Sequence, residues 1–360
     1  MSVSQFDRVP GRAVAAAAIS VSLLLAACSG SATAPAATSP PASVVSSASP
    51  LPIESSPAAP ETLSTGIPAD ASPFSGRAGG AGKQVLVVKF DNTPNAQPHT
   101  GLKSADIVYV EEVEYGLTRI AAVFATTIPK VVGPIRSARI SDIDLLAQFG
   151  RPAFAYSGAQ HKMRPVLAAA SIYDVSGDMG PAGYFRDSSR RAPYNFFART
   201  GELFLRAPRA STAKDIGFTF STLAQVGGKA VKRVTATYPS SSASFVWDAA
   251  SSSWAVWLNG KPARATEGGT QHATTVVIQY VRQTDSGYHD KFGGRTPKLD
   301  TVGTGKAWVL RDGKAYSVTW KRSVATGGTS FTDSTGVAVA FAPGQVWVAL
   351  VNRTKPVRFA

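Results

Sequence analysis

The hydrophobic pattern of the folded part of the chain begins with β-strands. Residues 84–90 read QVLVVKF, a β-branched run that predicts a buried strand, and the turn-forming residues 91–94 end it. Residues 107–114 and 118–126 predict two more strands, and the short link between them indicates a hairpin. Apolar residues at helical spacing then predict a helix over 137–149.

Short strands and helices alternate through the next hundred residues. Strands are predicted over 153–156 and 172–175, and a helix over 161–170 lies between them. Two further helical segments are predicted near 200–206 and 220–226. The first lobe is therefore expected to be a mixture of α and β structure.

The pattern changes near residue 233, after which no helical periodicity returns. Aromatic residues that alternate between outward and inward positions predict a hairpin over 245–261, and Asp312-Gly313 is a good two-residue turn between two later strands. The remaining predicted strands are 274–282, 305–311, 314–321 and 345–351. The fold class is thus α+β, with a mixed α/β N-terminal lobe and a predominantly β C-terminal lobe.

The first 27 residues read as a lipoprotein signal peptide. Arg8 and Arg12 precede a small, apolar run that is shorter than the roughly 20 residues of a membrane-spanning helix. The run ends at Leu25-Ala26-Ala27-Cys28, where the small residues suit signal-peptidase cleavage and the thiol can accept a diacylglyceryl group, as expected of a lipoprotein that carries palmitate. An ordinary export signal with an incidental cysteine is the alternative. We expect an exported protein attached through Cys28 to the outer face of the cytoplasmic membrane.

Composition indicates a tether after this anchor. Residues 28–82 are dominated by Ser, Ala, Pro, Thr and Gly, a composition too poor in large apolar residues to form a core, so they are predicted to be a disordered tether. Cys28 is the one cysteine of the chain, which excludes disulfides and thiolate chemistry in the folded part.

The chain is strongly basic. Its net charge is +14, and removal of Asp7, Arg8 and Arg12 with the signal peptide takes away +1 and leaves +13. An exported basic protein meets anionic wall polymers and lipid head groups, so no nucleic-acid partner is predicted. A solvated basic surface with no ligand is the alternative.

Several short motifs follow one another in a fixed order. They are 89–92 (KFDN), 97–102 (QPHTGL) with 105–109 (ADIVY), 113–119 (VEYGLTR), 133–139 (GPIRSAR), 185–187 (FRD) and 192–195 (APYN). In this ordered series the chain resembles the YerB-like lipoprotein family (domain of unknown function 3048), and residues 305–351 are similar to the C-terminal domain of that family. The resemblance spans nearly all of the folded part.

The resemblance implies an envelope lipoprotein and no particular reaction. It implies an α/β YerB-like N-terminal domain over 83–228 and a β-rich C-terminal domain over 229–360. One position departs from the family, because Tyr194 stands where the family often has the histidine of Pro-His-Asn. The resemblance therefore gives no support to a mechanism that needs an imidazole at this position.

Arginines supply the best candidate ligand site. Arg136, Ser137 and Arg139 lead into the predicted helix, whose first-turn amides could join the two guanidinium groups around one anion. Arg119, on a neighbouring strand, could join them. The resemblance motifs add three polar residues to the candidate set, Asp91, Asn92 and Asn195. The alternative is a structural network in which these arginines pair with Glu111, Glu112, Glu114, Asp142 or Asp144.

Two carboxylates are candidates for catalysis. Strand alternation would place Glu112 and Glu114 on one face, and a carboxylate pair across a groove can perform acid–base chemistry on a glycan. No metal site or cofactor is predicted. Asp91, Asn92, His99 and Asp106 were considered as ligands, but none of the four histidines has a partner at metal-ligand spacing.

Two functions remain open from the sequence. The first is a non-catalytic module that binds an anionic wall component, or a protein of wall assembly, through the arginines. The second is an envelope hydrolase or transferase that acts on peptidoglycan or a related glycan, with Glu112 or Glu114 as acid or base.

Overall fold

Residues 65–360 of the computed structural model are described here, and they are built mainly from β-strands. The predicted signal peptide, Cys28 and the predicted tether as far as residue 64 lie outside the described residues. Within residues 65–360, no helix has both the length and the apolar character needed to span a bilayer.

The first half of the described chain mixes strands with short helices. Its strands are β1 (Leu86–Asp91), β2 (Ile107–Glu112), β3 (Thr118–Phe124), β4 (Val131–Val132), β5 (Ala153–Ala155), β6 (Tyr173–Asp174), β7 (Tyr184–Arg186) and β8 (Phe196–Arg199). Its α-helices are α1 (Ile140–Ala147), α2 (Arg164–Ala169) and α3 (Thr200–Arg206). Single 3₁₀ turns are formed by Pro94–Ala96, Leu102–Ser104, Glu114–Gly116 and His161–Met163.

The second half of the described chain contains strands alone. They are β9 (Lys229–Ala230), β10 (Arg233–Tyr238), β11 (Ser241–Asp248), β12 (Ser253–Leu258), β13 (Lys261–Pro262), β14 (His272–Ala273), β15 (Thr275–His289), β16 (Arg295–Asp300), β17 (Gly303–Arg311), β18 (Lys314–Arg322), β19 (Ser330–Thr332), β20 (Val346–Asn352) and β21 (Val357–Phe359). The α+β fold expected from the sequence is confirmed, and strands outweigh helices in it.

One large sheet joins strands from both halves of the chain. Its order is β19-β18-β17-β15-β20-β2-β3-β1-β5-β6, with β16 also paired to β15 and β9 to β18. Strand β20 lies parallel to both β2 and β15, with Val346 in register with Ile107 on one side and with Thr275 on the other. A second sheet of six strands has the order β13-β12-β11-β10-β21, with β14 paired to β12, and a third has the order β4-β8-β7.

Both faces of the large sheet are covered. All six residues of β1 are buried, and successive side chains enter different clusters: Val88 and Phe90 pack into one core, and Val85 and Val87 into another. A strand covered on both faces needs apolar residues at consecutive positions, which is why this segment reads as a continuous hydrophobic run. Lys89 and Asp91 are the polar exceptions on this strand, and both are buried.

Most of the predicted elements are present. The hairpin of β2 and β3 and that of β11 and β12 are antiparallel as predicted. Helices are found at 164–169 and 200–206, and the Asp312-Gly313 turn has positive φ at both residues, as a type I′ turn requires.

Two helix predictions need correction. Residues 220–226 are not helical, because Phe220 bridges to Phe341 in extended backbone and its ring packs against that of Phe341. The helix predicted over 137–149 begins at Ile140, three residues later than its apolar spacing suggested, because the backbone before it is extended and bonds to β1.

The predicted tether extends too far along the sequence. Residues 65–82 belong to the folded body: Phe74 is fully buried against Phe149, and the Ser75 hydroxyl donates to Asp106 at 2.5 Å. Composition misled the prediction because these residues are held by turns and hydrogen bonds, such as Ser72 N–H to Arg77 O at 2.7 Å, and by one aromatic anchor.

Candidate functional site

Four charged side chains lie on one face at the same end of strands β1, β2 and β3. Lys89 and Asp91 are two residues apart on β1, and Arg119 on β3 is in register with Asp91 on one side and with Glu111 of β2 on the other. Because side chains alternate along a strand, these four residues share the face that helix α1 covers. This end of the three strands therefore carries four charged side chains, close to the start of α1.

Each carboxylate in register with Arg119 pairs with a different cation. Glu111 forms an ion pair with the buried Lys89 ammonium, with Oε1 2.8 Å from Nζ, and Asp142 of α1 accepts a hydrogen bond from the same ammonium at 2.6 Å. Asp91 pairs with Arg136, whose Nε lies 2.7 Å from Oδ2. Arg119 is therefore left without either neighbouring carboxylate.

The segment 133–139 brings two more arginines to this place. Its backbone runs beside β1, with Arg136 N–H donating to Lys89 O at 2.8 Å and Ile135 fully buried. A cis peptide bond precedes Pro134, and Gly133 packs under Phe197, where an added Cβ would lie 2.5 Å from the ring. Extended backbone with Ile135 buried directs Arg136 away from the core.

The start of α1 is closed by its own carboxylate. The Asp142 side chain accepts from the Arg139 backbone N–H at 2.6 Å, so this helix terminus is capped from within. Ser137 lies before the helix and donates its hydroxyl to Ser157 O at 3.1 Å. Arg139 is the N-cap of α1, and Arg136 and Ser137 precede it, so the contribution of first-turn helix amides to an anion site stays a prediction.

The three arginines line one cavity of about 450 Å³, which we call the arginine cavity. Glu114, Arg119, Arg136, Ser137 and Arg139 form one wall. The opposite side is formed by residues far away in the sequence, namely Gln160, His161, Tyr288, His289, Lys291 and Phe292. The long strand β15 and the turn after it carry the last four of these residues over the opening.

Glu114 neutralises Arg139. The two side chains form a bidentate pair, with Nε to Oε1 at 2.5 Å and Nη2 to Oε2 at 2.6 Å, and the Thr296 hydroxyl also donates to Glu114. Burial alone would raise the pKa of Glu114, but the hydrogen bonds and charge of Arg139 outweigh it and lower the pKa below its usual value. Glu114 is therefore ionised at neutral pH and holds Arg139 in place.

Of the three arginines, Arg119 is the one without an acidic partner. Its Nη1 donates to Ser137 O at 2.9 Å, and no carboxylate of residues 65–360 lies within ion-pair distance of it. Burial, followed by repulsion from Arg139 and Arg136, lowers the pKa of Arg119 to about 9. The guanidinium remains charged at neutral pH in a place that disfavours its charge, so an incoming anion would be stabilised there.

The other predicted site residues lie elsewhere. Glu112 accepts from Gln283 Nε2 at 3.0 Å, and burial raises its pKa, but it does not line the cavity. Asn92 donates to the Thr118 hydroxyl at 2.7 Å, and Asn195 accepts from Arg186 at 2.8 Å. Because β2 ends at Glu112, strand alternation does not extend to Glu114, and the two glutamates enter different networks.

The residues considered for metal binding serve the fold. The His99 ring is buried and bonds through Nε2 to the Asp91 backbone oxygen at 2.6 Å. The Asp106 carboxylate accepts from the backbone N–H groups of Ala125 and Thr126 at 2.7 and 2.8 Å. These contacts place the two side chains in separate networks.

Sequence comparison identifies the family. The model of the N-terminal domain described as "Protein of unknown function (DUF3048)" matches residues 74–213, and that of its C-terminal domain matches residues 234–348. The chain belongs to the DUF3048 family. These matches confirm the resemblance inferred from the motifs, and together they take in the strands on both sides of β20 in the large sheet.

Two further comparisons agree with this assignment. The chain is 22% identical to "Putative lipoprotein YerB" of Bacillus subtilis (strain 168) over 286 residues, which are 75% of this chain and 81% of that protein. The crystal structure of YerB from the same species superposes with a TM-score of 0.68 at 20% identity, over 81% of this chain and 99% of the other. This structural similarity, at 20% identity, shows a shared fold.

Proposed function

We propose that this protein is an exported, lipid-anchored envelope protein whose arginine cavity binds a carboxylate or phosphate group of an anionic wall component. The anchor is Cys28, which ends the apolar run of the predicted signal peptide, and the name of the similar lipoprotein supports it. The anchor would hold the folded body near the outer face of the membrane, where such polymers lie. In this proposal the protein binds the wall component and does not catalyse a reaction on it.

The observation that carries the binding proposal is the uncompensated charge of Arg119. Arg139 and Arg136 each have a carboxylate within 2.7 Å, and Arg119 has a single backbone acceptor. Guanidinium groups match carboxylate and phosphate oxygens with paired N–H donors. A group bound here would therefore meet one free guanidinium flanked by two that are already oriented.

The opposite wall of the cavity adds to the positive potential. Lys291, His161 and His289 line it, and Asp290 is the one carboxylate on that side. Arg119, Arg136, Arg139 and Lys291 give four positive charges, and Glu114, Asp290 and Asp91, which pairs with Arg136, give three negative ones. An excess of one positive charge in a partly enclosed space favours an anion over a neutral sugar.

The contacts of the two glutamates favour binding over catalysis. Glu114 is ionised and is engaged by Arg139 and Thr296, so it has no proton to donate and little freedom to accept one. Glu112, whose raised pKa suits a general acid, lies outside the cavity. A glycan-cleaving site needs both groups across one groove.

Co-sedimentation with isolated cell walls tests the proposal. We expect the full chain, kept in detergent, to sediment with walls at low salt and to be released at high salt. Arg119→Gln should weaken this binding by roughly tenfold or more, the effect of one charge-assisted hydrogen bond. Arg209→Gln is the matched control, because it removes the same charge from an exposed position outside the cavity.

Two results would contradict the proposal. One is equal retention of the Arg119→Gln and Arg209→Gln variants, which would reduce wall binding to a general effect of net charge. The other is release of new wall fragments, seen by mass spectrometry and abolished by Glu114→Gln, which would establish the hydrolase or transferase alternative.

A further inference from the structure

A second concave surface lies where β15 and β17 run antiparallel. The register places Ile278 opposite Trp308, so these two side chains share one face of the sheet. Side chains two residues further along either strand lie on the same face. Tyr280 and Arg282 of β15 lie on this face beside Lys306 and Trp308 of β17. Alternation in both strands therefore produces a patch in which two aromatic rings adjoin two cations.

This patch is the floor of an open cleft of about 760 Å³, a size typical of small-molecule sites. We call it the aromatic cleft and define it by Tyr280, Lys306, Trp308, Arg353 and Lys355. Tyr280 and Trp308 are half-buried, since one side of each ring packs against the core. The remaining ring surface is available from the cleft.

The aromatic floor is held in a fixed position. Trp308 packs edge-on against Phe359, with ring centroids 5.0 Å apart. The Trp320 indole donates to Tyr280 O at 2.9 Å, and it crosses directly over Gly305, where an added Cβ would lie 2.6 Å from the indole nitrogen. Glycine at this position lets the indole bridge the strands and fix the backbone that carries Tyr280.

The rim of the cleft is positively charged and largely unpaired. Lys306, Arg353 and Lys355 are exposed, and none of them forms an ion pair with another residue of the described part of the chain. Arg282 pairs with Asp300 at 2.7 Å, so these two charges cancel. Three cations without an ion pair therefore surround an aromatic floor.

We propose that the aromatic cleft binds a glycan strand that carries carboxylate groups. A sugar ring has an apolar C–H face that packs on an aromatic ring and a polar edge that accepts hydrogen bonds, and the floor and rim present those two surfaces. The three cations pair with carboxylates on neighbouring rings. Asp300 lies in the cleft wall, where its carboxylate can accept hydrogen bonds from sugar hydroxyls.

This site is separate from the arginine cavity, because the two share no lining residue. The inference therefore stands on its own observations and survives if the arginine cavity proves to bind nothing. It predicts sugar-ring recognition, whereas the arginine cavity recognises a charged group.

Titration calorimetry of the full chain in detergent tests the proposal with three probes. A hyaluronan tetrasaccharide supplies alternating N-acetylated and carboxylated rings, chitotetraose supplies neutral rings, and a short oligothymidylate supplies a phosphate backbone. We expect the hyaluronan fragment to bind more tightly than either of the others, with an affinity that falls as salt is added.

Two variants separate stacking from charge. Trp308→Ala should weaken binding of both sugar probes by roughly tenfold, the value of one aromatic contact. Lys306→Gln combined with Arg353→Gln should weaken binding of the hyaluronan fragment by roughly fivefold and leave chitotetraose unchanged. Lys314→Gln with Arg209→Gln is the control of equal net charge, and all four of these cations are exposed, so the folded state is retained.

Two outcomes would overturn the proposal. One is equal affinity for the hyaluronan fragment in the rim double variant and its control, a comparison that remains valid if Trp308→Ala does not fold. The other is tighter binding of the oligothymidylate than of either sugar. Chitotetraose carries no charged group for the arginine cavity, so loss of its binding in Trp308→Ala reports on the aromatic cleft alone and distinguishes failure at one site from failure at the other.

Discussion

The arginine cavity and the buried lysine beside it contain the same kinds of groups and use them differently. Lys89 has two carboxylates, Glu111 at 2.8 Å and Asp142 at 2.6 Å, and all three side chains are at most 1% exposed. Arg119, on the adjacent strand β3, has a single backbone acceptor and lines a cavity. The number of carboxylates per cation thus separates a structural cluster from a candidate ligand site.

The comparison has a physical basis. A fully buried ammonium needs paired carboxylates because water cannot solvate it. The buried carboxylates need the ammonium for the same reason. A guanidinium at a cavity wall is partly solvated, so it tolerates the lack of an acidic partner and remains available to a ligand. Different responses to substitution should therefore distinguish the two regions.

The largest effect is expected from Lys89→Met. Removing the ammonium leaves Glu111 and Asp142 buried without their cation, which should lower the free energy of unfolding by about 3–5 kcal/mol. Urea denaturation followed by tryptophan fluorescence measures this loss. Lys314→Met, at an exposed strand position, is the control and should change stability by less than about 0.5 kcal/mol. A similar stability in both variants would show that the lysine cluster does not hold the fold together.

A smaller effect should follow from pH at the same cluster. Burial, with the nearby charge of Asp142, raises the pKa of Glu111 to about 7 despite the opposing charge of Lys89. A carboxyl whose folded pKa is raised binds more protons in the folded state than in the unfolded state, so its contribution to stability falls as pH rises from its unfolded value towards 7.

Glu111→Gln removes this titration. The stability of the unaltered chain relative to Glu111→Gln should therefore decline by roughly 2 kcal/mol between about pH 4.5 and pH 7. Urea unfolding at a series of pH values gives this difference. A difference that rises with pH over the same interval would mean that Lys89 dominates and that Glu111 titrates in the opposite direction.

The arginine cavity should respond less to loss of a paired cation. Arg139→Gln leaves Glu114 with Thr296 as its remaining side-chain donor, and part of Glu114 is accessible from the cavity. We expect the free energy of unfolding to fall by about 1–3 kcal/mol, less than in Lys89→Met. Thermal and urea unfolding of the two variants in the same buffer measure which one loses more stability. A larger loss in Arg139→Gln than in Lys89→Met would contradict the distinction between the lysine cluster and the arginine cavity.

The smallest change in stability is expected for Arg119→Gln. Its guanidinium loses one bond, to Ser137 O, and burial and two neighbouring arginines already disfavour its charge. The free energy of unfolding should change by less than about 1 kcal/mol, while wall binding falls. A loss as large as that of Lys89→Met would identify Arg119 as a structural residue.

The sequence alone predicted much of the local structure. The β-branched run before Asp91, the Asp312-Gly313 turn and the aromatic hairpin near Trp254 each form as predicted, because turn chemistry and strand alternation act over a few residues. The ordered motifs identified the family, and the cluster of Arg119, Arg136 and Arg139 was found because two of its members lie in one short segment.

Long-range pairing decided the rest. Strand β20 pairs with β15 on one side and, across more than two hundred residues of sequence, with β2 on the other, and no local pattern specifies such a parallel partner. The far wall of the arginine cavity comes from residues 288–292, and the aromatic cleft comes from three separated segments. Residue types and their spacing determined which charges the chain carries. The tertiary structure decided which charge each one faces, because an ion pair depends on distance in space.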